Sequence, residues 1–117
     1  WLVVCKSPLT GGWGDANCGG TFSPAIKRCG FDAIFIHGKA DHPVYVLVEN
    51  EKVSIRDACH LWGKDAIESE EILLAEHNQK GKKVAVAVIG QAGETLSLIS
   101  GICNAGGGIR RRNQENL

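Results

Sequence analysis

The stretch Ser7-Pro8-Leu9-Thr10-Gly11-Gly12-Trp13-Gly14-Asp15-Ala16-Asn17-Cys18-Gly19-Gly20 places five glycines, an Asn and an Asp between an apolar run and the first helical pattern of the chain. Glycine lets a backbone adopt positive φ and pass close to another group, at an entropic cost that an ordinary connector avoids. A loop of this kind leading into a helix presents several N–H groups to an anion. Chemistry alone therefore supports a loop that holds the phosphate end of a cofactor. A glycine-rich turn with no ligand is the other reading of the same residues.

The flanks fit around that loop. Trp1 to Lys6 is a continuous apolar run with the length and β-branched content of a buried strand. Ser7-Pro8 ends it, because proline cannot donate to a ladder. After the loop, Ser23 reads as an N-cap and Pro24 as the first helical residue. Phe22, Ala25, Ile26 and Cys29 then form one apolar stripe, with Lys27 and Arg28 in the last turn and Gly30 as terminator. Such a helix turns its positive end toward Asn17 to Gly20.

Further along, Phe31 to His37 predicts a second strand, ended by Gly38 and a turn at Ala40-Asp41-His42-Pro43. Val44–Glu49 and Lys52–Asp57 predict an antiparallel hairpin joined at Asn50-Glu51, with Val53 and Ile55 inward and Lys52, Ser54 and Arg56 outward. Asp65 followed by Glu68 resembles a capping box opening a helix to about Asn78. Its acidic start (Asp65, Glu68, Glu70, Glu71) reads as a solvated face, its exit (Lys80, Lys82, Lys83) is basic, and Ile67, Leu73 and Leu74 give a narrow apolar side. Lys83 to Ile89 is apolar on both faces and predicts a central strand. Gly90 to Glu94 reads as a second glycine turn, and Leu96 to Cys103 as a strand or a short helix. The pattern predicts an α+β fold: a mixed, largely antiparallel β-sheet domain with two short helices. From residue 105 the composition turns Gly- and Arg-rich, so residues 105–117 are expected to form a divergent, disordered tail with Arg110, Arg111 and Arg112 solvated.

At 117 residues the chain is long enough for one domain with a core. Its zero formal net charge gives no global field for nucleic acid or an anionic membrane. No apolar run nears the roughly 20 residues of a membrane span and no leader pattern is visible, so a cytoplasmic protein is expected. The five cysteines (5, 18, 29, 59, 103) have neither zinc nor iron–sulfur spacing. Cys5, Cys29 and Cys103 read as core filler. His37, His42, His60 and His77 form no i, i+4 pair, and His60 reads as part of a structural turn. Nucleotide binding through Gly11–Gly20 or Gly90–Gly93 is poorly supported, since neither stretch fits a P-loop or a dinucleotide fingerprint. With no Met and an opening on Trp1 inside a strand pattern, the chain is expected to be a fragment.

An ordered set of motifs adds a resemblance. Lys6 to Gly11 with Ala16-Asn17-Cys18-Gly19-Gly20, then Gly30 to Ile34, Gly38-Lys39-Ala40 and Pro43-Val44-Tyr45, are followed by Ile55 to Lys64 and by Ile89 to Glu94. In this order and spacing, from residue 1 to about 104, they resemble the N-terminal domain of the tungsten-containing aldehyde ferredoxin oxidoreductases. The resemblance implies part of a much longer enzyme that oxidises aldehydes to carboxylic acids. Related branches act on other substrates, including aromatic thioesters. It further implies a tungsten (or molybdenum) bis-pterin, magnesium, and a [4Fe–4S] cluster whose ligands lie outside this chain. The expected partners are an aldehyde, ferredoxin as electron acceptor, the remaining domains and a second copy in a homodimer; nucleic acid and membrane are not expected.

In that family the asparagine of Ala-Asn-x-Gly-Gly lies beside the pterin phosphates, and its backbone carbonyl helps hold the magnesium that bridges them. The role carries to Asn17, as cofactor-binding residue and metal ligand, with Gly19 and Gly20 allowing close approach. Residues 1–104 would then be a partial pterin-binding domain. The family's second phosphate-facing segment, Asn-Asp-Gly with Arg-Ala, is broken after Asn104, and an arginine expected before Trp1 is outside the chain. The competing expectation is a scaffold remnant that holds no cofactor. The 117 residues alone are not expected to oxidise aldehydes.

Overall fold

The structure is a computed structural model that describes residues 1–78 and 83–104. In chain order it has β1 (Leu2–Lys6), β2 (Trp13–Asn17), α1 (Phe22–Arg28), β3 (Val44–Glu49), β4 (Lys52–Asp57), a 3₁₀ turn (Cys59–Leu61), α2 (Ala66–His77), β5 (Ala87–Val88), α3 (Gln91–Glu94) and β6 (Cys103–Asn104). The strands make three antiparallel pairs, β1–β2, β3–β4 and β5–β6. The α+β class and the antiparallel pairing follow the sequence reading. The Gly/Arg-rich tail and Lys80 and Lys82 of the basic exit lie outside the described residues.

The glycine-rich stretch is not one loop. Its second half, Trp13–Asn17, folds back as β2 against β1, pairing Lys6 with Trp13 and Leu2 with Asn17. Ser7 N–H donates to Gly12 O (2.8 Å) and Gly11 N–H to Ser7 O (2.9 Å), which closes the connection. Gly11 takes φ +72°, a conformation that side chains disfavour. β1 is largely exposed, Leu2, Val4 and Cys5 included, instead of buried, because among the described residues it has a partner on one edge and little above its faces.

Helix α1 starts two residues earlier than the Ser23-Pro24 pair predicts. Thr21 is its N-cap and makes no side-chain cap bond. Pro24 is tolerated in the first turn, where N–H groups have no intrahelical acceptor. The end is as expected, with Lys27 and Arg28 in the last turn and Gly30 at φ +91°. Residues 31–43 form no strand, and Phe35 is 96% exposed. Apolar content alone does not make a strand when no ladder partner is beside it.

The β3–β4 hairpin has the predicted register, with Asn50 (φ +49°) and Glu51 (φ +63°) as its two-residue turn. Positive φ at both positions matches the right-handed twist of the strands. Its inward face is reversed from expectation. Val53 and Ile55 are exposed, Ile55 to 70%, while Tyr45 on the opposite face packs against the core. Helix α2 decides this, since its His77 Nε2 meets Tyr45 OH at 3.0 Å.

Asp65 caps α2 as predicted, accepting from Ile67 N and Glu68 N at 2.9 Å each. Glu68 bonds Lys64 Nζ (2.6 Å). Glu70, expected in a solvated face, is buried together with Ser69 and Leu73. The core consists of Ala58, Leu61, Leu73 and Val88, with Tyr45, Ala66, Ile72, Val86 and Cys103 against it. The predicted seven-residue strand at 83–89 is ladder-bonded only at Ala87–Val88, which pair with Asn104 and Cys103. The expected glycine turn at 90–94 is α3, where a Cβ on Gly93 would sit 2.9 Å from Ile89 Cβ. Leu96 to Ile102 is neither strand nor helix, and Ile99 is 92% exposed.

Candidate functional site

The expected site residues Asn17, Gly19 and Gly20 lie together at the open end of the β1–β2 hairpin. Their backbone directions follow from the ladder. Cys18 N–H donates to Trp1 O (2.9 Å), and the Trp1 nitrogen donates to Cys18 O (2.7 Å). The peptides of the described residues are trans, so the N–H and C=O of one peptide plane point in opposite directions. The carbonyl of Asn17 shares a plane with the Cys18 N–H and therefore points away from β1. The N–H of Gly19 shares a plane with the Cys18 carbonyl and points away from β1 as well. Leu2–Asn17 is accordingly the non-hydrogen-bonded pair of the ladder. The outer edge thus offers an acceptor at Asn17 and a donor at Gly19. Neither Gly19 nor Gly20 donates its N–H to a backbone carbonyl among the described residues.

The two glycines are there for different reasons. Gly20 has φ +92°, which a side chain would strain. Gly19 has no such φ, and a Cβ built on it would meet nothing within 4 Å among the described residues. Packing among those residues therefore does not require glycine at 19 and leaves room above it for another group. An acceptor carbonyl beside a donor N–H with clear space above fits a cation-bridged pair of phosphates, so the residues present fit the group implied for them. The carbonyl suits a hard cation and the N–H suits a phosphate oxygen.

Behind this edge the Trp1 and Phe22 rings pack at a centroid distance of 5.2 Å and 57°. The Trp1 Nε1 is buried without a hydrogen-bond partner among the described residues. The seven-residue α1 follows the segment, but with no side-chain cap it adds less to the site than its sequence pattern promises.

One contact was not legible from local pattern. Asn104, on β6 and 6% exposed, reaches the segment from the far end of the chain. Its Nδ2 donates to Gly19 O (3.3 Å), and its Oδ1 accepts from Cys18 Sγ (3.3 Å). The contacts span 85 and 86 residues of sequence. The only sequence signal was the isolated Asn before the tail.

Other polar groups serve the frame. Gly63 N–H donates to both oxygens of Glu94 (3.0 and 2.9 Å), while Gln91 Nε2 donates to Gly63 O (2.6 Å). Gly90 and Gly93, weighed above for nucleotide binding, are thus occupied by packing. His60 Nε2 lies 2.8 Å from Glu76 Oε1, which ties the 3₁₀ turn to α2. The Cys59 N–H on Asp57 Oδ1 (3.0 Å) holds that carboxyl below its usual range, and the Asp57 hydrogen bond pushes the Cys59 thiol up. The five cysteines are unpaired, and no cluster of three His, Cys, Asp or Glu that could hold a metal occurs among the described residues. No helix of the described residues is long and apolar enough to cross a membrane.

Comparison with known proteins agrees with the motif order. Residues 1–114 match the family described as aldehyde ferredoxin oxidoreductase, N-terminal domain. The chain is 45% identical over 106 residues to the tungsten-containing aldehyde ferredoxin oxidoreductase of Pyrococcus horikoshii, covering 91% of this chain and 17% of that relative. It is 36% identical over 102 residues to an aliphatic sulfonate oxidoreductase, WOR-like subunit, of Pyrococcus furiosus, covering 79% of this chain and 16% of that one. Among solved structures, the active-site complex BamBC of benzoyl-coenzyme A reductase, in complex with 1,5-dienoyl-CoA, superposes with a TM-score of 0.77 at 39% identity. That match covers 91% of this chain and 17% of the other. The chain spans about one-sixth of the length of the curated relatives it matches. By motif order, fold and sequence, it belongs to the aldehyde ferredoxin oxidoreductase family, within the N-terminal domain.

Proposed function

We propose that residues 1–104 are part of a pterin-binding domain, and that Asn17, Gly19 and Gly20 form the side of the site that faces the cofactor phosphates. The observation that carries this reading is the outer edge of β2, where the Asn17 carbonyl and the Gly19 N–H both turn away from β1. Asn17 would offer its carbonyl to a magnesium ion held at the cofactor phosphates. Gly19 would donate its N–H to a phosphate oxygen, and the open space at its Cα would admit the group without collision. When bound, the tungsten (or molybdenum) bis-pterin supplies the two-electron oxidation of an aldehyde to a carboxylic acid, and a [4Fe–4S] cluster supplies single-electron transfer to ferredoxin. This segment contributes position and charge compensation, and the cluster ligands come from elsewhere in the enzyme.

The exposed apolar residues Leu9, Trp13, Phe35, Ile36, Ile55 and Ile99 support docking against the remaining domains. Cytoplasmic location and a homodimer belong to the same reading. We assign the substrate class to those domains; the relatives matched by this segment carry different names, one an aldehyde ferredoxin oxidoreductase and one an aliphatic sulfonate oxidoreductase.

Magnesium pyrophosphate titrated into the isotopically labelled chain tests the phosphate edge. Amide shifts confined to residues 17–20, and lost in Gly19→Val, are expected. Shifts spread evenly, or absent at 17–20, would sink the reading in favour of a scaffold that holds no cofactor.

A further inference from the structure

We infer that Asn104 is a positioning residue whose buried amide holds the Gly19 carbonyl and so sets the direction of the Cys18–Gly19–Gly20 main chain, turning the Gly20 N–H away from β6. The functional sense of this rests on the phosphate-edge reading above, whereas the geometry does not.

Two adjacent glycines are the most permissive pair a chain can contain, so their orientation is not set by their own φ/ψ preferences. Cys18 is held by the Trp1 ladder bonds. Beyond it, the restraint that the described residues supply is the Asn104 amide on Gly19 O (3.3 Å). With the Gly19 carbonyl drawn toward β6, the Gly20 N–H of the same trans peptide points to the opposite side. The left-handed φ of Gly20 then carries the chain into α1.

Asn104 can do this because it is itself fixed. It pairs with Ala87 in the β5–β6 ladder, one residue from Cys103, which pairs with the core residue Val88. At 6% exposure its amide needs partners inside the protein, and it finds one for each end: Gly19 O for the donor and the Cys18 thiol for the acceptor. Few side chains can replace it. Aspartate keeps the acceptor and loses the donor, leucine matches the size and loses both, and serine is too short to span the two contacts.

The test uses the 117-residue chain as wild type, Asn104→Leu and Asn104→Asp. Backbone order parameters at Gly19 and Gly20 from nitrogen relaxation, and the rate of Cys18 alkylation by iodoacetamide mapped by mass spectrometry, are measured for each. Asn104→Leu should lower the order parameters from the rigid value of about 0.85 to below about 0.6 and raise alkylation about tenfold, the scale of one lost interaction. Asn104→Asp should lower the order parameters at Gly19–Gly20 while Cys18 alkylation stays near wild type. Protection at Val88 and Cys103 reports that the β5–β6 pair is intact. Unchanged order parameters at Gly19–Gly20 in both variants overturn the inference.

Should the variants fail to fold, cross-relaxation in the unaltered chain between the Asn104 side-chain amide protons and the α-protons of Gly19 decides. Its presence supports the contact and its absence overturns it. Magnesium pyrophosphate separates this inference from the reading it rests on. Lower order parameters at Gly19–Gly20 in Asn104→Leu with no pyrophosphate shifts in wild type uphold the positioning role and sink the phosphate edge. Equal order parameters and equal pyrophosphate shifts in both proteins do the reverse.

Discussion

The two long hairpins look alike and are built for different ends. In β3–β4, every unusual conformation has a cause within the chain. Asn50 and Glu51 are left-handed because a two-residue turn requires it, and Glu51 N–H donates to Cys29 O (3.0 Å). Gly30 is glycine because its φ is +91° and a Cβ there would lie 2.9 Å from Glu51 Cγ. In β1–β2 the closed end is also explained from within, since a Cβ on Gly14 would press on Ser7 Cα at 3.3 Å. The open end is not. Gly19 has neither a left-handed φ nor a crowded Cα, and the Asn17 carbonyl points off the sheet. Gly101 has the same freedom, so it is the outward Asn17 carbonyl and Gly19 N–H, not the glycine alone, that set this end apart.

Leu73→Ala attacks the small core against which Tyr45 of the β3–β4 hairpin packs. Leu73 is buried among the few apolar residues that hold α2 against Tyr45 and β5. Its truncation should cost about 2–5 kcal/mol, with a lower urea midpoint at unchanged slope. A loss under about 1 kcal/mol would show that the hairpin stands without that core. Gly30→Val is the next largest change. It forces a branched side chain into a left-handed position against Glu51, at about 1–3 kcal/mol, and should loosen the β3–β4 turn selectively. Equal loss of amide protection in β1–β2 and β3–β4 would erase the distinction between them.

What was legible in the sequence were the features fixed locally. The Asp65 cap, the Gly30 stop, the Asn50-Glu51 turn and the β3–β4 register all depend on neighbours within a few residues. The site segment was legible for the same reason, because a run of glycines beside Asn17 shows in any window. What failed depended on distant partners. Phe31–His37 has strand composition but no ladder neighbour, and Val53 and Ile55 face out because α2 occupies the other side of the hairpin. Glu70 was assigned to water by its acidic surroundings, yet tertiary packing buries it. Trp13–Asn17 was hidden by glycines that weaken strand propensity and still pair with β1. The Asn104 contact joins the two ends of the described chain and leaves no periodic trace.

A smaller effect separates the two ends of β4. The Cys59 N–H on Asp57 holds that carboxyl low, with desolvation opposing weakly and His42 adding a lesser attraction. A carboxyl whose folded pKa is lowered contributes stability above the unfolded value of about 3.9 and loses it as pH falls through the folded value. The melting temperature of wild type should therefore fall more steeply than that of Asp57→Asn below about pH 4. Identical slopes would show that the strand end gains nothing from this carboxylate. Asp32, held low by its hydrogen bond and charge pairing with Lys27, titrates the same way and is unaffected by that variant.

The smallest expected effect on stability is the most telling. Gly19→Val should leave the urea midpoint within about 0.5 kcal/mol of wild type, or raise it slightly, because the unfolded chain loses freedom and the folded one meets no obstacle. The same substitution at Gly30 is destabilising, so one side chain at two glycines gives opposite signs. Binding should invert the order. Gly30→Val, where it remains folded, should keep the magnesium pyrophosphate shifts at residues 17–20, since it lies on the other hairpin's side of α1. Gly19→Val should lose them, because the branched side chain fills the space above the edge. A Gly19→Val chain that is markedly destabilised would show that the glycine answers to internal packing after all. A stable Gly19→Val chain with intact pyrophosphate shifts would instead show that the phosphate, if it binds, approaches from another direction.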